Sequence, residues 1–193
     1  MRWRFLRGPR AQLEPLSDDR ATAGPDPDQA WKVLALVNEW IRHSDAKAGV
    51  TLAFTGVLGT MTFNLARDFE SRSPIFDALV VVACALLVLT GGLCGWTLTP
   101  RVNDKDADHD ATNRLFFASI SRNFKGKREE YADVLHTLTA DPVQLTRDLA
   151  DQIHANARIA TTKAKFAKWA MRSAFAAGAT VAALAIVIGS TNT

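Results

Sequence analysis

The chain has 193 residues, 23 Lys and Arg against 20 Asp and Glu, and a formal net charge of +3. Mean hydropathy is −0.02, but the apolar residues are clustered and the segments between them strongly charged. About 60 residues fall in three uncharged runs and roughly 130 outside them, which allows one small helical domain and excludes a large catalytic one.

Residues 1–27 read as a flexible charged arm, with Pro9, Pro15, Pro25 and Pro27 and little periodic apolar content. Arg2, Arg4, Arg7 and Arg10 are not followed by an apolar stretch, which argues against a signal peptide. A helix is predicted from Asp28, an N-cap after Pro27, with Trp31, Leu34, Val37 and Ile41 at helical spacing. It runs over 28–66 and enters a first transmembrane span at 48–66. That span, 78–100 and 173–190 hold no Asp, Glu, Lys or Arg, and each matches the roughly 20 apolar residues a bilayer core requires. The loop 67–77 is short, so spans one and two form an antiparallel hairpin; Pro100 and Arg101 end the second.

Residues 101–172 are predicted to form a helical cytoplasmic domain. A helix is expected over 111–123, carrying Leu115, Phe116 and Ile120, and another on Tyr131, Val134, Leu135 and Leu138. Asp141-Pro142 then starts a long helix that continues into the third span. The expected fold is thus an all-α integral membrane protein, with three transmembrane helices and a small helical domain between the second and third.

Positive charge orients it. Residues 1–47 hold eight Lys and Arg, 101–172 thirteen, 67–77 two and 191–193 none. The positive-inside rule places the N-terminus and 101–172 in the cytoplasm, with 67–77 and the 191–193 tail in the periplasm. Arg158, Lys163, Lys165, Lys168 and Arg172 precede the third span without an acid among them, a run suited to anionic headgroups.

Catalytic and metal signatures are weak. Asp104, Asp106, Asp108 and Asp110 fail the EF-hand pattern, because His109 stands where Gly is needed and Leu115 where Glu is needed. His43, His109, His136 and His154 lack partners at zinc spacing, and no nucleophile triad or phosphate loop is present. Cys84 and Cys94 are separated by about 15 Å of helix rise, too far for a disulfide. The expectation is no enzyme, no metal, no cofactor and no nucleic-acid polymer as partner.

Two patterns carry more. Small residues recur every four positions in Thr51-Thr55-Gly59, Gly91-Gly95 and Ala174-Gly178-Ala182, suited to close packing within one bundle or between subunits. Asn38, Arg42 and Asp45 form a polar row entering span one, and Gln152, Asn156, Ile159 and Lys163 a row entering span three. Packed together, the rows make either a hydrogen-bonded stalk or a ligand site.

The motifs Asn38-Glu39-Trp40-Ile41-Arg42, Asp45-Ala46-Lys47-Ala48-Gly49, Leu98-Thr99-Pro100-Arg101 and Asp151-Gln152-Ile153-His154-Ala155-Asn156 occur in order around the spans. In these the chain, over residues 28–190, resembles the membrane effectors of bacterial Pycsar anti-phage systems. The resemblance implies that a partner uridylate or cytidylate cyclase answers infection by making cyclic UMP or cyclic CMP. The effector senses that messenger and impairs the inner membrane, and the infected cell stops growing or dies. No binding residue is carried over from the resemblance. On chemistry alone, Asn38, Gln152 or Asn156 can address a base edge, and Arg42, Arg101, Arg158 and Lys163 a phosphate; Asp45 and Lys47 complete the candidate ligand set. A homo-oligomer is expected, because one small anion hardly supplies the roughly 5.5 kcal/mol of differential affinity that a complete switch requires. Other triggers, such as a protein or another nucleotide, and a passive membrane anchor are the alternatives.

Overall fold

The computed structural model describes residues 24–67, 73–100 and 114–191. Five helices follow in order: α1 (Pro27–Arg67), α2 (Pro74–Leu98), α3 (Phe117–Asn123), α4 (Arg128–Ala140) and α5 (Pro142–Thr191). No strand occurs among the described residues. Three of the helices, α1, α2 and α5, are long and apolar enough to cross a membrane.

Local chemistry sets the helix ends. Asp26 caps α1, its Oδ1 accepting from the backbone N–H groups of Asp28 and Gln29 at 3.0 and 3.4 Å. The cap is therefore two residues earlier than Asp28, with Pro27 in the first turn, where its missing N–H costs nothing. Ser73 caps α2 through Phe76 N at 3.2 Å. Asp141 Oδ1 accepts from Val143 and Gln144 at the start of α5, which then runs unbroken for 50 residues.

The helix expected over 111–123 begins later, at Phe117. Arg114 and Leu115 form a turn instead. The Arg114 side chain is drawn to α5, donating from Nε to Asp148 Oδ2 at 2.9 Å and from one terminal nitrogen to Asp148 Oδ1 and Gln144 Oε1, each at 3.2 Å. Tyr131 Oη donates to the Arg114 carbonyl at 3.2 Å, taking an acceptor that a helix would have used. The Asp148 hydrogen bond also raises the pKa of Arg114, so the guanidinium stays charged.

Helices α1 and α5 run parallel along a shared seam. On α1 the covered positions recur every seven residues at Leu34, Ile41, Ala48, Thr55 and Thr62. On α5 they recur at Leu149, Asn156, Lys163, Ala170, Ala177 and Leu184. A seven-residue repeat held over this length is the signature of a left-handed supercoil. Helix α2 packs antiparallel on both. Ser173 Oγ of α5 donates to Leu86 O at 3.2 Å, and Trp96 meets Phe166 with ring centroids 6.0 Å apart. Toward the other end of α2, Phe76 is buried with Leu184 against Leu65 and Ala66.

The bundle is small inside and large outside. Ala83, Cys94, Ala174, Ala177, Thr55 and Thr90 are buried, whereas Val50, Val88, Phe175 and Ile186 are exposed. Lipid removes the hydrophobic drive between spans, so close approach of small residues supplies the packing instead. Thr51, Thr55, Thr62, Thr90 and Thr97 each donate to the carbonyl four residues earlier at 2.7–2.8 Å, satisfying the hydroxyl within its own helix. A separate core of Leu34, Leu138, Leu145 and Leu149 ties the start of α1 to α4 and α5.

Candidate functional site

The parts of α1 and α5 that precede the apolar spans form a two-helix stalk. Asn156 Nδ2 donates to Asn38 Oδ1 at 2.9 Å. Seven residues further along both helices, Lys163 Nζ donates to Asp45 Oδ1 and Oδ2 at 2.7 and 2.9 Å. The two contacts share one offset of 118 residues, as a parallel seven-residue seam requires.

The pairs differ in environment. Asn38 is exposed, and its amide bond faces water. The Lys163 side chain is 6% exposed and that of Asp45 34%. Lys163 thus holds a charge away from solvent, beside an aspartate that precedes Ala48 by less than one helical turn. Both carboxylate oxygens of Asp45 lie within hydrogen-bond distance of its ammonium, which offsets desolvation through short charge-assisted bonds.

The remaining sequence candidates are placed differently. Arg42 is exposed, with its guanidinium 3.6 Å from Glu39 on its own helix. Lys47 and Arg158 are exposed, and Gln152 is half-buried on α5. The structure therefore brings Asn38, Asp45, Asn156 and Lys163 together, and Arg42 stands outside that cluster. Arg101, the acidic run from Asp104 to Asp110, the arm at 1–23 and the loop residues 68–72 lie outside the described residues. Among the described residues, no three of His, Cys, Asp and Glu converge as metal ligands.

One feature is not apparent from the polar rows. A shallow groove of about 290 Å³ opens between α1 and α5, lined by Val37, Trp40 and Ser44 and by Ala157, Ala160, Thr161 and Ala164. None of the four paired polar residues lines it. Helical spacing puts Trp40 on one flank of the seam and Asn38 and Asp45 on the other. The Trp40 indole is 60% exposed and stands edge-on to His43, with ring centroids 6.5 Å apart. The available signal was an alanine row at 157, 160 and 164, at helical spacing, beside an aromatic on the neighbouring helix.

Where α5 meets the membrane, Arg172 lies over the Trp169 ring at 5.1 Å from its centroid. Trp96 of α2 lies at the same end of the bundle, against Phe166. Tryptophan and basic side chains at one level are the usual composition of a membrane–water interface.

Comparison with known proteins identifies a family over the same helices. The Pycsar effector protein domain matches residues 29–189. The Pycsar effector protein PtPycTM of Propioniciclava tarda is 38% identical over 144 residues, covering 75% of this chain and 69% of that protein. No solved structure matches. The matched region begins at the start of α1 and ends in the last turn of α5, so it takes in the stalk and all three spans. The chain belongs to the Pycsar effector family.

Proposed function

We propose that this protein is an anti-phage membrane effector that senses cyclic UMP or cyclic CMP made by a partner uridylate or cytidylate cyclase. On sensing it, the protein impairs the bacterial inner membrane, and the infected cell stops growing or dies. The observation that carries this reading is the family match over residues 29–189, the whole of the stalk and bundle. The protein acts on the bilayer rather than as an enzyme.

The architecture supports a mechanical link. Helices α1 and α5 pass from stalk to span without a break, so a change in how they pack in water is carried into lipid. With the N-terminus and the stalk cytoplasmic, a messenger made in the cytoplasm meets the stalk directly. The bonds Asn38–Asn156 and Asp45–Lys163 hold one resting register, while Arg42, Lys47, Arg101, Gln152 and Arg158 complete the polar set available to an anion. Ligand shifts the balance between two packings by binding one of them better.

Complete switching requires about 5.5 kcal/mol of differential affinity, which several sites in a homo-oligomer supply more readily than one. Gly91 and Gly95 are consistent with such an assembly. A Cβ added at either would meet nothing within 4 Å, so packing inside one chain does not explain glycine there.

The test is membrane potential in cells expressing the protein, with cyclic UMP, cyclic CMP or cyclic AMP supplied to the cytoplasm. Collapse with one pyrimidine nucleotide alone supports the proposal and identifies the messenger. An unchanged potential with all three refutes nucleotide gating.

A further inference from the structure

The groove beside Trp40 has the features of a receptor for a small aromatic anion. Trp40 stands eight residues before Ala48, where the uncharged run of α1 begins, a rise of about 12 Å. Lipid tails therefore do not account for an indole left 60% exposed. Across the groove, Ala157, Ala160 and Ala164 present only methyl groups, leaving a slot beside the ring. Ser44 Oγ donates to Trp40 O at 3.0 Å and Thr161 Oγ1 to Ala157 O at 2.9 Å. Both hydroxyls have spent their proton, so each offers its oxygen as an acceptor.

Charge completes the pattern. Lys47 follows Trp40 by seven residues and Ser44 by three, so it rises on the same face toward the membrane. Lys168 follows Thr161 by seven and Ala164 by four, and rises likewise on α5. From Gln152 to Thr191 α5 carries no Asp or Glu. The groove thus has an aromatic wall, hydroxyl acceptors and a basic end.

We propose that this groove is where the cyclic pyrimidine nucleotide binds, a placement that rests on the nucleotide-sensing reading above. The base stacks on Trp40 against the alanine row. Its N–H donor, N3–H in uracil and the N4 amino group in cytosine, donates to one of the Ser44 and Thr161 hydroxyls. The cyclic phosphate faces Lys47 and Lys168. A volume of about 290 Å³ holds the base and part of the ribose, with the phosphate at the mouth. Filling the slot wedges α1 from α5 on the flank opposite Asp45–Lys163, so the helices pivot about that pair.

The test is calorimetric titration of the full chain in lipid nanodiscs with cyclic UMP, cyclic CMP and cyclic AMP. The variants are Trp40→Ala, Trp40→Phe, Ala164→Phe and Lys47→Ala. Stacking on an aromatic side chain predicts about 5- to 150-fold weaker binding in Trp40→Ala, with affinity largely kept in Trp40→Phe. Ala164→Phe fills the groove from an exposed position and abolishes binding. Lys47→Ala weakens binding and flattens its salt dependence. Thermal unfolding checks that each variant folds.

Wild-type protein that binds no pyrimidine nucleotide overturns the sensing reading and the groove assignment together. Wild-type protein that binds one, with equal affinity in Trp40→Ala and Ala164→Phe, overturns the groove assignment alone. If those variants keep affinity but lose assembly in native mass spectrometry, the assignment also falls, and the face is a contact between copies.

Discussion

Asp45→Ala is expected to damage the protein more than Lys163→Met, although both remove the same ion pair. The asymmetry follows from exposure. Asp45→Ala strands an ammonium whose side chain is 6% exposed, whereas Lys163→Met strands a carboxylate that is 34% exposed and rehydrates. Removing one partner of a buried pair costs about 3–5 kcal/mol, so Asp45→Ala should fall in that range. Solvent screening reduces the cost of Lys163→Met to about 1–2 kcal/mol. For a chain of this size each kcal/mol moves Tm by roughly 2–4 °C, which predicts a loss of about 6–20 °C for Asp45→Ala and about 2–8 °C for Lys163→Met. The assay is thermal unfolding of the full chain in detergent, followed by far-UV circular dichroism. The double variant should be more stable than Asp45→Ala alone, because it leaves no stranded charge. Equal losses in the two single variants, or strict additivity in the double, would refute the argument that Lys163 is held by this contact.

Asn38→Ala removes a single exposed amide bond and should cost about 1 kcal/mol, read from the same melts. Gly178→Ala should stabilise by about 0.5–1 kcal/mol, because the new Cβ meets Leu58 Cδ1 at an ordinary 3.9 Å while the helix gains propensity. Ala177→Leu, at a fully buried position in the same stretch of α5, should destabilise by about 1–3 kcal/mol through overpacking. Arg114→Met removes the tie to Asp148 and should cost about 1.5–3 kcal/mol locally, seen as faster tryptic cleavage at Lys125 and Lys127.

The spans were legible because a chain this short has no soluble core large enough to bury three uncharged runs of bilayer length. The polar rows were legible as rows, but their pairing was only partly so. Seven residues advance a helix to within about 20° of the same direction, while four overshoot by about 40°. Asp45 therefore stays beside the α5 seam with Asn38, and Arg42 turns outward to 81% exposure. The late start of α3 was hidden because its cause, Asp148, is 34 residues from Arg114 in sequence. The groove was hidden because alanines create a cavity by what they lack, whereas sequence patterns register what side chains present. The seam is inconspicuous for a related reason: Ala48, Thr51, Thr55 and Ala170 do not register as a hydrophobic repeat, although in lipid they pack as one.

A seam built of methyl and hydroxyl groups is nearly degenerate. Sliding α5 along α1 by one heptad, about 10.5 Å, brings similar small residues opposite one another again. The polar pairs remove that degeneracy. In one direction the slip sets Lys163 against Leu52, inside an uncharged span; in the other it sets Asp45 against Ala170. Both alternatives leave a charge without its counterion at the membrane. The two helices therefore behave as a keyed shaft in its sleeve, barred from sliding and left with twist and splay as its ways to move.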